Sequence, residues 1–213
     1  MKIRIYRQTT ITDAKPETIQ EIRCQMTFRN QAFLENERRG YSNWQTDRLI
    51  QCFHVIPGGL VFPRGFSGSA CRIARQHGEQ LQITNCRRSL PEVSFYFTDT
   101  LKSFQQEAVD DVLQKPFGTL AAATGSGKTF MALAVIAERK QPALVVVHTK
   151  ELLEQWTFKI ETFLKISRAK SGIAGGGWNR IGNKITVALV QSLAKHIEDV
   201  YEHVRFLIVD ECH

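Results

Sequence analysis

Residues Ala122-Ala123-Thr124-Gly125-Ser126-Gly127-Lys128-Thr129 constrain this chain more than any other stretch. They follow the apolar run 117–122 and open the run Phe130-Met131-Ala132-Leu133-Ala134, so a loop joins an expected strand to an expected helix. Gly125 and Gly127 let backbone N–H groups turn inward around an anion with no Cβ in the way. The helix that follows points its positive end at the same place. Lys128 is then set to reach β- and γ-phosphates, and the Thr129 hydroxyl to ligate Mg²⁺. The strict pattern G-x-x-x-x-G-K-[ST] has Gly where this chain has Ala122, a position at which a small residue suffices.

A phosphate loop of this kind needs a carboxylate at a nearby strand end. Phe206-Leu207-Ile208-Val209-Asp210-Glu211-Cys212-His213 supplies one, 81 positions after Thr129. Four apolar residues predict a buried strand, and two acids emerge at its C-terminal edge. Asp210 is placed to hold Mg²⁺ and Glu211 to orient and deprotonate an attacking water. Cys212 and His213 stand without partners in the pattern of a zinc site.

Strands are expected at 117–122, 143–148, 185–190 and 205–209, and helices at 101–113, 128–139, 150–164 and 191–199. Alternation of that kind predicts a parallel sheet with helices on both faces. Residues 1–92 read differently. Lys2–Arg7 alternates like a strand, a helix starts near Pro16, and 29–48 is polar and irregular. Leu49–Ile56 and Leu60–Phe62 form a hairpin about Pro57-Gly58, Phe66–His77 is a helix and Leu81–Thr84 a strand. The expectation is a small α+β domain over 1–92, a connector over 93–100 and an α/β unit over 101–213.

Charge separates the same segments. Of the net +7, all falls in residues 1–90, with 12 Arg and 2 Lys against 7 acids. Residues 91–213 balance, and there Lys outnumbers Arg 10 to 4. Arginine suits bidentate grip on phosphates and stacking on bases, so the first segment is read as a nucleic-acid module. An arginine excess that only keeps a small domain soluble is the competing reading. Five cysteines, odd in number and without a C-x-x-C pair, argue against a disulfide framework and fit a reducing cytoplasm. No run approaches a membrane span, so no membrane partner is expected.

With both motifs in hand, residues 101–213 resemble the first RecA-like lobe of superfamily 2 helicases of the DEAD/H-box type, nearest the XPB-like and UvsW-like branch. The resemblance rests on five blocks in order. Leu101-Lys102-Ser103-Phe104-Gln105-Gln106 looks like the adenine-recognition motif, which implies that Gln105, with Lys102 beside it, reads the base. Ala122–Thr129 is the phosphate loop, so Thr124, Gly125, Ser126, Gly127, Lys128 and Thr129 would hold ATP. Val147-His148-Thr149-Lys150-Glu151-Leu152 and Ile185–Leu193 resemble motifs on the nucleic-acid side, which assigns Thr149, Lys150, Gln191 and Ser192. Asp210–His213 reads D-E-C-H, and in the family the final His couples hydrolysis to strand movement. Asn43-Trp44 and Gly59–Gly65 are similar to N-terminal modules of some members, with Trp44 and Arg64 as stacking and phosphate candidates.

The resemblance implies an incomplete α/β lobe preceded by a small α+β domain. It implies ATP and Mg²⁺ as cofactors, DNA sooner than RNA as partner, and a second RecA-like lobe in cis or in trans. It also implies a further strand after D-E-C-H, lying between the 117–122 strand and the Asp210 strand. Three readings stay open at this level: an ATP-dependent helicase or translocase active in DNA repair, a fragment that only binds DNA or nucleotide, and the motor subunit of a restriction or defence system. Local alternatives stay open too. Thr149 and Gln191-Ser192 could cap or start helices, Gly175-Gly176-Gly177 could be a flexible loop, and Trp44 and Trp156 could be core residues.

Overall fold

Ile3 and Ile11 face one another across antiparallel strands, and Leu60 stands next in the same row. All three are buried. They open the first of two units, Met1–Arg88 and Ser89–His213, in a computed structural model that describes residues 1–87, 90–194 and 197–211. The first unit runs β1 (Lys2–Ile5), β2 (Gln8–Thr12), α1 (Pro16–Gln25), β3 (Thr27–Arg29), α2 (Gln31–Arg39), β4 (Leu49–Gln51), β5 (His54–Ile56), β6 (Gly59–Pro63), a 3-10 turn (Arg64–Phe66), α3 (Ser67–Gln76) and β7 (Gln82–Asn85).

Its main sheet has the order β5-β6-β2-β1-β7, with only β1 and β7 parallel. Period-two alternation puts Ile3, Ile11, Leu60 and Phe62 inside against Ile22 of α1 and Ile73 of α3. Each such side chain contributes about 1.5–3 kcal/mol on burial. The other face carries Arg4, Thr10, Val61, His54 and Thr84 in register and none of them is buried. At the sheet–helix junction a buried hydrogen bond of 2.7 Å joins Thr9 Oγ1 to Ser67 Oγ.

The second unit runs α4 (Ser103–Leu113), α5 (Lys128–Arg139), β8 (Ala143–Val147), α6 (Lys150–Leu164), β9 (Gly172–Gly175), β10 (Trp178–Arg180), β11 (Ile185–Leu189), α7 (Val190–Leu193), α8 (Ile197–His203) and β12 (Phe206–Val209). Its sheet has the order β10-β9-β11-β8-β12. β9, β11, β8 and β12 are parallel, and β10 turns back antiparallel at one edge. β8 and β11 are buried along their whole length, as parallel strands covered on both faces must be. Leu133, Ile136, Leu153, Trp156 and Ile160 of α5 and α6 cover one face. Val200 of α8 and Leu193 of α7 cover the other, against Leu144, Val146, Ala174 and Ala188.

Several expectations are corrected. Residues 117–122 form no strand, since β12 ends the sheet order and they share no ladder with it. A strand exists only through a neighbour's backbone hydrogen bonds, and apolar composition cannot replace one. Leu120 and Ala122 nonetheless pack against Val109, Met131 and Ala134. The polar stretch 29–48 contains α2, capped by Asn30, whose Oδ1 accepts from the Ala32 N–H, and closed by Gly40 at φ 71°. Leu49–Ile56 is two strands, because the chain leaves its pairing with β3 and joins β6. The helix expected over 191–199 is α7 and α8. Gly175-Gly176-Gly177 is a tight hairpin: Trp178 faces Gly175, so the loop is Gly176-Gly177, both at positive φ.

Residues 93–100, expected as a connector, lie on the second unit. The Val93 N–H donates to Lys140 C=O, the Thr98 N–H to Phe163 C=O, and the Lys184 ammonium to Ser94 C=O. Phe95 and Phe97 pack onto its core. No described helix is long and apolar enough to cross a membrane.

Candidate nucleotide-binding site

The sequence opens α5 on Gly127, which takes φ 87°, with Gly125 before it at φ 82°. Both values lie in the left-handed region that glycine enters without a Cβ penalty. A Cβ at Gly127 would also stand 2.7 Å from Gln105 Nε2. Lys128 bends back over this loop and donates to the carbonyls of Ala122 (3.0 Å) and Ala123 (3.3 Å). Among the described residues the Ser126 hydroxyl is buried without a partner, while Thr124 and Gly125 are exposed. A cation whose bonds among the described residues all go to its own loop, a buried hydroxyl with no partner among them and an open glycine turn are what an anionic guest would complete.

Gln105 reaches the same loop from α4. It is 7% exposed. Its Oε1 accepts the Lys102 N–H at 3.0 Å and its Nε2 donates to Ser126 C=O at 2.9 Å. A primary amide has two donors and two acceptor lone pairs, so one of each stays uncommitted in this pair of bonds. Lys102 itself is exposed.

The carboxylates come to this end of the sheet by chain geometry. The Arg139 guanidinium, closing α5, lies 5.7 Å over the ring of Phe206, which opens β12. Twelve helical residues rise about 18 Å, and Phe206 to Asp210 spans about 13 Å of strand. α5 and β12 pack side by side, so Lys128 and Asp210 share the opposite end, at the strand C-termini. The Asp210 N–H still donates to Val146 C=O at 3.0 Å. Its Oδ2 accepts the Trp156 indole N–H at 2.7 Å. Glu211 leaves the sheet at φ 51°, with His148 Nε2 3.6 Å from its Oε2. Thr129 sits in the first turn of α5, half-buried, beside Lys128.

The other expected residues are placed as follows. Thr149 caps α6, accepting the Leu152 N–H at 3.2 Å. That hydroxyl also bonds the Glu151 carboxyl, which the backbone N–H of Glu151 itself holds below its ordinary value. Lys150 is exposed next to it, and exposed Gln191 and half-buried Ser192 lie in α7 after β11. These four therefore occupy the same C-terminal edge of the sheet. In the first unit, Trp44 is 91% exposed in the loop after α2, which removes it from the core. Arg64 is half-buried and opens the 3-10 turn after β6. Cys212 and His213 lie outside the described residues. Sequence reasoning passed over the Trp156 N–H, because an indole in an apolar helix stripe reads as core, and it passed over His148.

Together these features define an α/β lobe with a glycine turn opening α5 and an acidic strand end at the C-terminal end of its sheet. The family model described as "Type III restriction enzyme, res subunit" matches residues 98–213, more than half of the sequence, and the chain belongs to that family. It is 34% identical over 113 residues to the DNA 3'-5' translocase XPB2 of Sulfurisphaera tokodaii, covering 53% of this chain and 25% of that one. It is 33% identical over 135 residues to the putative ATP-dependent RNA helicase QP509L of African swine fever virus, covering 59% and 26%. Among solved structures, T4 UvsW superposes with a TM-score of 0.70 at 20% identity, over all of this chain and 48% of that one. The chain thus spans about a quarter of the length of these curated relatives. The expected likeness to the XPB-like and UvsW-like branch, and the expected α/β lobe, are borne out by these matches.

Proposed function

We propose that this chain is the N-terminal part of an ATP-dependent helicase or translocase, which binds ATP and nucleic acid and couples hydrolysis to strand movement. The observation that supports the reading is the glycine turn before α5: among the described residues its Lys128 ammonium bonds only the turn's own carbonyls and its Ser126 hydroxyl is buried with no partner, while Asp210 follows β12 at the C-terminal end of the same sheet. In this reading the Lys128 ammonium exchanges the Ala122 and Ala123 carbonyls for phosphate oxygens, and the Ser126 hydroxyl gains its missing partner. Gln105 offers its remaining donor and lone pair to the adenine edge while its Nε2 bond to Ser126 C=O keeps it tied to the loop and its Oε1 bond from the Lys102 N–H holds it to the start of α4. Thr129 and Asp210 would hold Mg²⁺, which supplies charge neutralisation on the phosphates. Glu211, with His148 beside it, orients the attacking water and takes its proton.

Thr149, Lys150, Gln191 and Ser192 would meet the nucleic-acid backbone, with Trp44 stacking on bases and Arg64 gripping phosphate in the first unit. The arginine excess of residues 1–90 supports that assignment. DNA is the preferred partner, DNA repair the pathway read from the likeness alone, and the cytoplasm the expected compartment. A second RecA-like lobe, in cis or in trans, would complete the transition-state charge stabilisation.

The test is ATP hydrolysis by the 213-residue chain with and without DNA, beside Lys128→Ala. DNA-stimulated turnover lost in the variant supports a working motor. DNA and ADP binding without turnover leaves the chain as a binding module. Failure of both to bind refutes the proposal.

A further inference from the structure

Asp210 is held twice, and only one of the two holds belongs to the sheet. Its N–H continues the ladder to Val146. Its side chain is fixed by a residue 54 positions away, through the 2.7 Å hydrogen bond from Trp156 Nε1 to Oδ2. Trp156 is 1% exposed, with its ring in the α5–α6 face of the core. A buried indole has one donor and no acceptor, so its N–H must find an oxygen. Here the ring is locked by packing, which aims that donor in a single direction. Among the described residues, Trp156 is the one side chain that hydrogen-bonds Asp210.

We propose that Trp156 is a positioning residue for Asp210: its N–H holds Oδ2, which turns Oδ1 toward the divalent cation that accompanies the nucleotide. The proposal rests on the nucleotide-binding reading above. Partners that orient a ligating carboxylate typically account for 10–100-fold in metal affinity or activity. The indole does not titrate and carries no charge, so its contribution is directional and leaves the carboxylate's charge available to the cation.

The experiment uses Trp156→Phe in the full 213-residue chain, since Phe keeps an aromatic body in the core and deletes the N–H. ADP affinity is measured by calorimetry with Mg²⁺ and again with EDTA. The expected result is a loss of about tenfold or more in the Mg²⁺-dependent gain in affinity, with the EDTA affinity changed by less than about twofold. An undiminished Mg²⁺-dependent gain overturns the proposal. A second measurement is independent of that variant's folding. The Trp156 indole ¹H–¹⁵N resonance of the native chain should move in Asp210→Ala and on addition of Mg²⁺ with ADP, and a resonance indifferent to both overturns it. If the native chain binds no ADP in either condition, the nucleotide reading fails. If it binds with a Mg²⁺-dependent gain that Trp156→Phe retains, only the positioning role fails.

Discussion

Replacing Gln105 by Glu isolates the link between α4 and the phosphate loop. The side chain is nearly isosteric, so packing is preserved. The Oε1 bond from the Lys102 N–H at 3.0 Å survives and gains charge assistance. The second bond reverses sign, because the amide donor 2.9 Å from Ser126 C=O becomes a carboxylate oxygen. Losing that bond and leaving a mostly buried acceptor unmet costs about 1–3 kcal/mol. For a unit of this size, each kcal/mol shifts Tm by roughly 3–5 °C. The second unit's transition should therefore fall by roughly 3–15 °C in differential scanning calorimetry. If the loop's binding conformation depends on the same bond, affinity for a fluorescent ADP should fall about 5- to 150-fold, the equivalent of that free energy. Gln106→Ala, at an exposed neighbour whose side chain donates to Asp110, is the control and should change neither reading. A Gln105→Glu transition within about 2 °C of native, with ADP affinity within about twofold, would refute the reasoning.

Further outcomes follow from other contacts. Lys128→Ala should abolish ADP binding in equilibrium dialysis without altering the circular dichroism spectrum, since among the described residues its ammonium bonds only its own loop. Gly176→Val should destabilise the second unit by about 1–2 kcal/mol, the cost of a left-handed backbone with a Cβ, read as a lower melting temperature. Glu79 links stability to pH. Burial alone would raise its carboxyl, but hydrogen bonds from the Lys15 N–H and the N-terminal ammonium, and that ammonium's charge, hold it below the ordinary carboxylate value. A lowered folded-state pKa stabilises above the unfolded value and is lost as pH falls through the folded one. The first unit's melting temperature should drop as pH is lowered from about 5 through that range, and Glu79→Gln should flatten the drop. Trp44→Ala should weaken binding to single-stranded DNA by the equivalent of about 1–3 kcal/mol per stacked base while leaving Tm unchanged, measured by fluorescence anisotropy.

How much was legible depended on how local the signal is. α5 and α6 begin and end where their glycine, threonine and apolar periodicity put them, because caps and stripes are short-range physics. α2 escaped notice because none of its residues is buried, although Asn30 and Gly40 carried its cap signals. β9 and β10 escaped because Gly175–Gly177 reads equally as slack and as a two-residue turn. Only pairing across the turn separates the two. The 117–122 stretch shows the reverse case, a strand-like composition without a neighbour.

The amino-acid order alone determined the phosphate loop, the acidic strand end, the strand–helix alternation and the basic first segment. Each of these is written in contiguous residues whose chemistry needs no partner to be recognised. Tertiary structure decided what depends on distant chain. It tied Gln105 to Ser126 across 21 residues and Trp156 to Asp210 across 54. It took Trp44 out of the core, and it packed Phe95 and Phe97 of the expected connector against the second unit's core. A hydrogen bond between residues far apart in sequence exists only once the sheet order brings them together, and no local propensity encodes that order.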